Sequence, residues 1–227
     1  MRKLATMINL SFAEENYLKA IYHLSADGQK QVTTNAIADR LETKPASVSD
    51  MIRKLSDKEV ITHIKYQGVN ITEQGKKSAL WVIRKHRLWE VFLVDKLNFH
   101  WDEVHEIAEQ LEHIRSSLLI ARLDEFLEFP KFDPHGDPIP NEEGIISSKP
   151  RVILSEQKVG TICELVSLKD TGNPFLNYLD RIGMSIGTKI EIMGLIEFDR
   201  SVEIKIDDKK NLNISKQVAD NLLVVTN

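Results

Sequence analysis

The chain has 227 residues, 42% of them hydrophobic and 28% charged, with a formal net charge of −4. That composition is sufficient to bury a core and excludes a disordered chain. No run reaches the roughly 18 apolar residues of a membrane span, Met1–Leu10 lacks a signal-peptide core, and the one cysteine, Cys163, permits neither an internal disulfide nor a Cys-built zinc site, so the expected address is a reducing cytoplasm.

The first expected element is a helix from Phe12 to Leu24, with Phe12, Tyr17, Leu18, Ile21 and Tyr22 at helical spacing and Asp27-Gly28 closing it. Thr34 offers a cap for a short helix carrying Ile37, Ala38 and Leu41. A turn, Glu42-Thr43-Lys44, leads to Pro45, which suits the first turn of the next helix because its missing N–H costs nothing there. In that helix Val48, Ile52 and Leu55 form a core stripe, and Ala46, Ser47, Asp50, Arg53 and Lys54 fall on the opposite face. Val60–Lys65 and Val69–Thr72 then read as two short strands around Gln67-Gly68.

Helix, turn, helix and hairpin form a winged helix-turn-helix pattern, whose second helix enters a DNA major groove about 12 Å wide. Small residues on that helix allow close approach to bases, and Arg53 and Lys54 can reach phosphates. With Lys44, Pro45 and Ser49 added, the expected DNA-contacting set is Lys44, Pro45, Ala46, Ser47, Ser49, Asp50, Arg53 and Lys54. Charge agrees with that placement. Residues 1–88 carry 15 Lys and Arg against 9 Asp and Glu, residues 89–143 carry 4 against 14, and residues 144–227 carry 11 against 11. The basic first third suits a polyanion and the acidic middle suits cations.

Two long helices are expected next, from about Thr72 to Leu97 and from Trp101 to about Phe129. The loop Pro130–Pro140 follows, with four prolines that no helix or strand interior tolerates. Beyond Pro150, short alternating stretches such as Val202-Glu203-Ile204-Lys205-Ile206, punctuated by glycines, read as a small β-barrel. The expected class is α+β multidomain: residues 1–72 a winged helix-turn-helix domain, 73–143 a helical domain, and 144–227 a linker and barrel.

The second long helix carries His105, Glu109, Glu112 and His113 on one face, opposite Val104, Ile107, Leu111, Ile114 and Leu118. Taken alone, that is the wet face of an amphipathic helix. On the preceding helix, His86 and Glu90 are four apart and flanked by Val82, Leu93 and Leu97, where unpaired polar groups are costly. Two His–Glu sets on consecutive antiparallel helices are better explained by a cation between them. Imidazole and carboxylate without thiolate suit Mn²⁺, Fe²⁺, Co²⁺ or Zn²⁺, and the spacing does not by itself separate a sensor from a hydrolase.

Five pieces together resemble the DtxR/MntR family of metal-dependent transcriptional regulators. They are Glu15–Tyr22, Pro45–Leu55, His86-Arg87-Leu88-Trp89-Glu90, Val104-His105 with Glu109–His113, and Asp133-Pro134-His135-Gly136-Asp137-Pro138-Ile139-Pro140. The tail, with Pro174–Leu179 and Ile182–Gly187, looks like the family's SH3-like (FeoA-type) domain. The resemblance implies a homodimer on palindromic operator DNA, away from membranes, with two metal sites per subunit, and makes residues 73–143 the dimerisation and metal-binding domain. The primary site would use Glu109, Glu112, His113 and Asn16, and the ancillary site His86, Glu90 and His105 with Asp170.

At Glu109 iron-type members usually have cysteine, so a carboxylate there looks manganese-type. At Asn16 manganese-type members usually have aspartate and iron-type ones methionine. At Lys19 manganese-type members have glutamate, and a protonated lysine does not ligate. The expected function is a Mn²⁺- or Fe²⁺-activated repressor of metal-uptake genes, open to Co²⁺ or Zn²⁺ in vitro, and not an enzyme. The rival readings are a winged-helix regulator not controlled by metal and a metallohydrolase.

Overall fold

The computed structural model describes residues 8–64, 68–147 and 150–226. The chain divides into two compact units. One holds the residues up to His86 with Glu109–Ser117 and Pro140–Ile146; the other holds Arg87–Ala108, Leu118–Ile139 and the chain from Ser147 on.

The first unit opens with α1 (Phe12–Leu24), whose start is a reciprocal cap. The Ser11 hydroxyl accepts from Glu14 N, and the Glu14 carboxylate accepts from Ser11 N, so two backbone donors with no helical partner are satisfied. Lys58, at the end of α3 (Pro45–Asp57), holds the same carboxylate at 2.8 Å. Helix α2 (Thr34–Arg40) is capped one residue earlier than expected, by Thr33, whose extended backbone lets its hydroxyl accept from Ala36 N. Pro45 occupies the first turn of α3, as its ring geometry favours.

Strands β1 (Ile61–Ile64) and β2 (Gly68–Ile71) pair antiparallel with Ile61 opposite Ile71. Lys65, the expected end of the first strand, and Gln67 of the expected Gln67-Gly68 turn lie outside the described residues. Val32 adds a bridge to Val69, and at Gly68 (φ +120°) a Cβ would lie 2.3 Å from Val32 O, so this approach requires glycine. Leu18, Ile21, Ile37, Val48, Ile52, Leu55 and Val60 form the core, leaving the other face of α3 to solvent.

Helix α4 (Glu73–Leu97) starts at Thr72, whose hydroxyl accepts from Gly75 N. The single helix expected from Trp101 to Phe129 is instead two, α5 (His105–Leu111) and α6 (Ser117–Phe126). The break falls at Glu112–Ser116. Ser116 and Ser117 are weak helix formers, and leaving the helix lets Glu112 turn fully inward while Glu109, one turn earlier, stays exposed.

In the second unit a six-stranded antiparallel sheet has the order β3-β8-β4-β5-β6-β7. Its strands are β3 (Val152–Ile153), β4 (Ile162–Leu168), β5 (Lys189–Leu195), β6 (Val202–Ile206), β7 (Lys210–Ile214) and β8 (Leu222–Thr226). Helices α7 (Asn173–Ile182) and α8 (Lys216–Asn221) complete it. Inward-facing Leu165, Ile190, Ile192, Ile204 and Val224 pack with Leu176, Leu179 and Trp101. The sheet fits the expected SH3-like domain but is open rather than a closed barrel, because among the described residues β3 and β7 do not pair with each other. Alternation fixes which side chains face inward but does not require closure.

Candidate metal centre

Helix α4 buries charge. Arg84, Lys85, His86 and Glu90 are each under 9% exposed, and ionisable groups buried this way require partners. Arg84 donates to the Pro140 carbonyl at 2.6 Å, and the structure supplies partners for the other three in two clusters.

The first surrounds Glu112, whose side chain is wholly buried. Its Oε2 accepts the Nδ1 hydrogen of His86 at 2.7 Å, and Lys19 Nζ donates to Oε1 and Oε2 at 2.7 and 2.9 Å. Burial pushes the Glu112 carboxyl up, but His86 and Lys19 outweigh it and hold it below the usual range. His113 stacks on Phe12 and gives its Nδ1 hydrogen to Glu15 Oε2 at 2.6 Å; its Nε2 lies 3.8 Å from Glu112 Oε1. Lys85 Nζ stands 3.8 Å from the same Glu15 oxygen, and burial lowers its pKa despite Glu15 and Glu112.

Of the expected primary set, Glu112 and His113 are brought together, whereas the half-exposed Glu109 reaches Lys19 at 3.5 Å. Among the described residues, Glu109, Glu112 and His113 are not a trio with all ligand atoms within 4.8 Å of one another. Asn16 is exposed. The polar contacts from α1 to this cluster come from Glu15 and Lys19 instead, one helical turn apart and so on a single face.

The second cluster is Glu90, Asp133 and His135, all buried, with ligand atoms within 4.8 Å of one another. His135 Nε2 donates to the Trp101 carbonyl at 2.9 Å, so the neutral ring turns the Nδ1 lone pair toward Glu90, whose Oε2 lies 3.8 Å away. A backbone acceptor behind a histidine is the arrangement that fixes a metal-binding tautomer. Burial lowers the affinity of His135 for a second proton, yet Glu90 more than offsets this. Asp133 Oδ1 accepts the backbone N–H groups of His135 and Asp137, each at 2.9 Å, and Arg87 Nε lies 3.3 Å from Oδ2. Burial, then Glu90, push the Asp133 carboxyl up to about 7.

Two buried carboxylates that disfavour each other's charge, beside an imidazole of fixed tautomer, fit a divalent cation in an oxygen and nitrogen donor set. His105 adjoins this cluster, its Nδ1 3.5 Å from Glu90 Oε1. His86, one turn before Glu90 on α4, bonds Glu112 and also has a ligand atom within 4.8 Å of those of Glu90 and His105, so the expected trio His86, Glu90 and His105 is brought together. Asp170 is exposed and accepts from Gly172 N at 2.8 Å; among the described residues it belongs to no convergent ligand group.

Sequence reasoning missed Asp133 and His135 as ligand candidates. The available signal was an Asp-Pro-His-Gly-Asp string in a loop at the end of the acidic stretch. That loop is held against β4: at Gly136 (φ +82°) a Cβ would lie 1.9 Å from Val166 O, and Asp137 accepts from Ser167. Cys163 is buried on β4 opposite Ile190 of β5, with its thiol pushed up by burial to about 11.

On α3, Lys44, Pro45, Ala46, Ser47, Ser49, Asp50, Arg53 and Lys54 are all exposed. Arg53 pairs with Asp50 at 3.1 Å, and the Ser49 hydroxyl bonds back to Pro45 O. The pair is solvent-exposed on both sides, so either partner exchanges readily for a phosphate or a base edge.

Three family models match in succession: "Iron dependent repressor, N-terminal DNA binding domain" over residues 9–69, "Iron dependent repressor, metal binding and dimerisation domain" over 72–141, and "FeoA domain" over 152–226. The iron-dependent repressor IdeR of Mycobacterium tuberculosis is 35% identical over 126 residues, which is 56% of this chain and 54% of that protein; the chain thus aligns with little more than half its length. The diphtheria toxin repressor of Corynebacterium glutamicum is 30% identical over 198 residues, covering 82% of this chain and 86% of that protein. Among solved structures, a manganese-dependent transcriptional repressor in complex with manganese superposes with a TM-score of 0.84 and 34% identity, covering 94% of this chain and 100% of the other. On these matches the chain belongs to the DtxR/MntR family of iron- and manganese-dependent transcriptional repressors.

Proposed function

We propose that this chain is a Mn²⁺- or Fe²⁺-activated repressor that acts as a homodimer on palindromic operator DNA in the cytoplasm, controls metal uptake, and catalyses no reaction. The observation that carries the reading is the convergence of the buried Glu90, Asp133 and His135, whose ligand atoms lie within 4.8 Å of one another. Glu90, Asp133 and His135, with His105, are the ligands of one site; Glu109, Glu112 and His113, with Glu15, are those of the other. A bound divalent cation supplies the positive charge that lets Glu90 and Asp133 remain ionised together. The donors are oxygen and imidazole without thiolate, which favours Mn²⁺ or Fe²⁺ over Cu(I) and over zinc-specific sites.

Support for DNA comes from α3, whose small and basic face is open to solvent above a well-packed core. Support for a dimer comes from α6 and the chain after it, where Leu118, Phe126 and Phe129 are 69%, 59% and 57% exposed. A metal that binds one arrangement of the chain better than another shifts its population toward that arrangement, and DNA affinity is linked to it by the same free energy. The test is a titration of the full chain against a duplex selected from random DNA, at fixed salt, with Mn²⁺, Fe²⁺, Co²⁺, Zn²⁺ or EDTA. Tightening by Mn²⁺ or Fe²⁺ that EDTA reverses is expected, and equal affinity under all five conditions would remove metal control.

A further inference from the structure

Both oxygens of the Glu112 carboxylate are already engaged. Lys19 Nζ lies 2.7 Å from Oε1 and 2.9 Å from Oε2, and the His86 Nδ1 hydrogen takes Oε2 at 2.7 Å. The same ammonium reaches Glu109 at 3.5 Å. Lys19 is thus a cation on a tether, seated between the two carboxylates of the first cluster. Its side chain is 16% exposed and that of Glu112 is wholly buried, so solvent weakens this pair little. A carboxylate sealed this completely requires a positive partner at all times. A divalent ion ligated by Glu112 at the roughly 2.0–2.3 Å of such bonds would lie within a few ångströms of the ammonium, where like charges repel strongly.

We propose that Lys19 is a built-in competitor of the metal at Glu112: it neutralises the buried carboxylate when metal is scarce and must withdraw for metal to bind. Lys19 thereby sets the metal concentration at which this site fills, and withdrawal is open to it because it projects from α1 on a flexible stem with an edge in solvent. The contact also ties α1 to the segment after α5 before metal arrives, so filling the site exchanges one link for another. The inference rests on the reading of Glu109, Glu112 and His113 as metal ligands.

The experiment measures Mn²⁺ binding to the full chain from the loss of the free-ion EPR signal, together with thermal unfolding in EDTA and in saturating Mn²⁺. Lys19→Met, which keeps an unbranched apolar stem and removes the charge, is expected to tighten one class of Mn²⁺ site by about tenfold, the scale of one charge-assisted hydrogen bond. It is also expected to lower the melting temperature in EDTA and enlarge the Mn²⁺-induced rise. Lys19→Arg, which keeps the charge, should leave the affinity near that of wild type. A purely structural lysine would lower both melting temperatures and tighten nothing, and that result overturns the proposal. Glu112→Gln separates the two layers of the argument. If it removes one bound Mn²⁺ while Lys19→Met leaves the affinity unchanged, competition fails and the ligand reading stands. If it removes none, the ligand reading fails and takes the competition with it.

Discussion

Replacing Asp133 with asparagine removes one charge from the second cluster and changes little else in shape. In the metal-free protein, burial and Glu90 push the Asp133 carboxyl from 3.8 up to about 7. The folded chain therefore holds this proton to a higher pH than the unfolded chain does. Its contribution to stability is fully retained below pH 3.8 and is lost as pH rises through about 7. At roughly 1.4 kcal/mol per unit the loss reaches at most about 4 kcal/mol. The substituted amide would keep an oxygen for the His135 and Asp137 N–H groups, but its nitrogen would face Arg87 Nε, now 3.3 Å from Asp133 Oδ2. That donor–donor contact costs about 1–2 kcal/mol, leaving the metal-free variant more stable than wild type by about 2 kcal/mol at pH 8. At pH 4 the order should reverse, because only the donor–donor contact remains. The assay is urea unfolding in EDTA from pH 4 to pH 8, followed by the same series in Mn²⁺. Mn²⁺ should flatten the wild-type profile and stabilise Asp133→Asn far less. Parallel profiles for the two proteins in EDTA would refute the reasoning.

Other expectations follow from the same contacts. Gly136→Ala places a Cβ 1.9 Å from Val166 O at a φ of +82°. Melting and Mn²⁺ titration should show a loss of about 2–4 kcal/mol in stability and a weaker second site. Glu15→Gln should raise the Mn²⁺ midpoint for DNA binding more than Asn16→Ala does, since Glu15 and not Asn16 holds His113; the reverse order would restore Asn16 as the ligand. Lys54→Ala should weaken binding to all DNA sequences and reduce the slope of log affinity against log salt by about one, as measured by anisotropy.

Much of the fold is legible because its signals are local. Helix α1 has the bounds that periodicity gives it, and Pro45 marks the start of α3. The break between α5 and α6 is not local. It depends on burying Glu112 against His86 and Lys19, residues 26 and 93 positions away, which no window along the chain reveals. The site shows the same division. His86, Glu90, His105, Glu112 and His113 are visible from helical spacing, but alignment to a family pattern selects position 16 on α1 while packing selects the face bearing Glu15 and Lys19. Prolines identify the Asp133–Pro140 loop, yet a loop has no period to say which side chains turn inward. Asp133 and His135 turn inward because Gly136 allows the chain to press on β4 and the Trp101 carbonyl receives the ring.

The most direct test of metal control through the second cluster compares wild type with His135→Ala in one titration of Mn²⁺ against the selected duplex at fixed salt. Wild type should bind DNA at least about tenfold more tightly when loaded than in EDTA. His135→Ala should match it in EDTA and require about tenfold more Mn²⁺ or greater to respond. If EDTA-treated wild type binds the duplex as tightly as the Mn²⁺-loaded protein, metal does not control DNA binding.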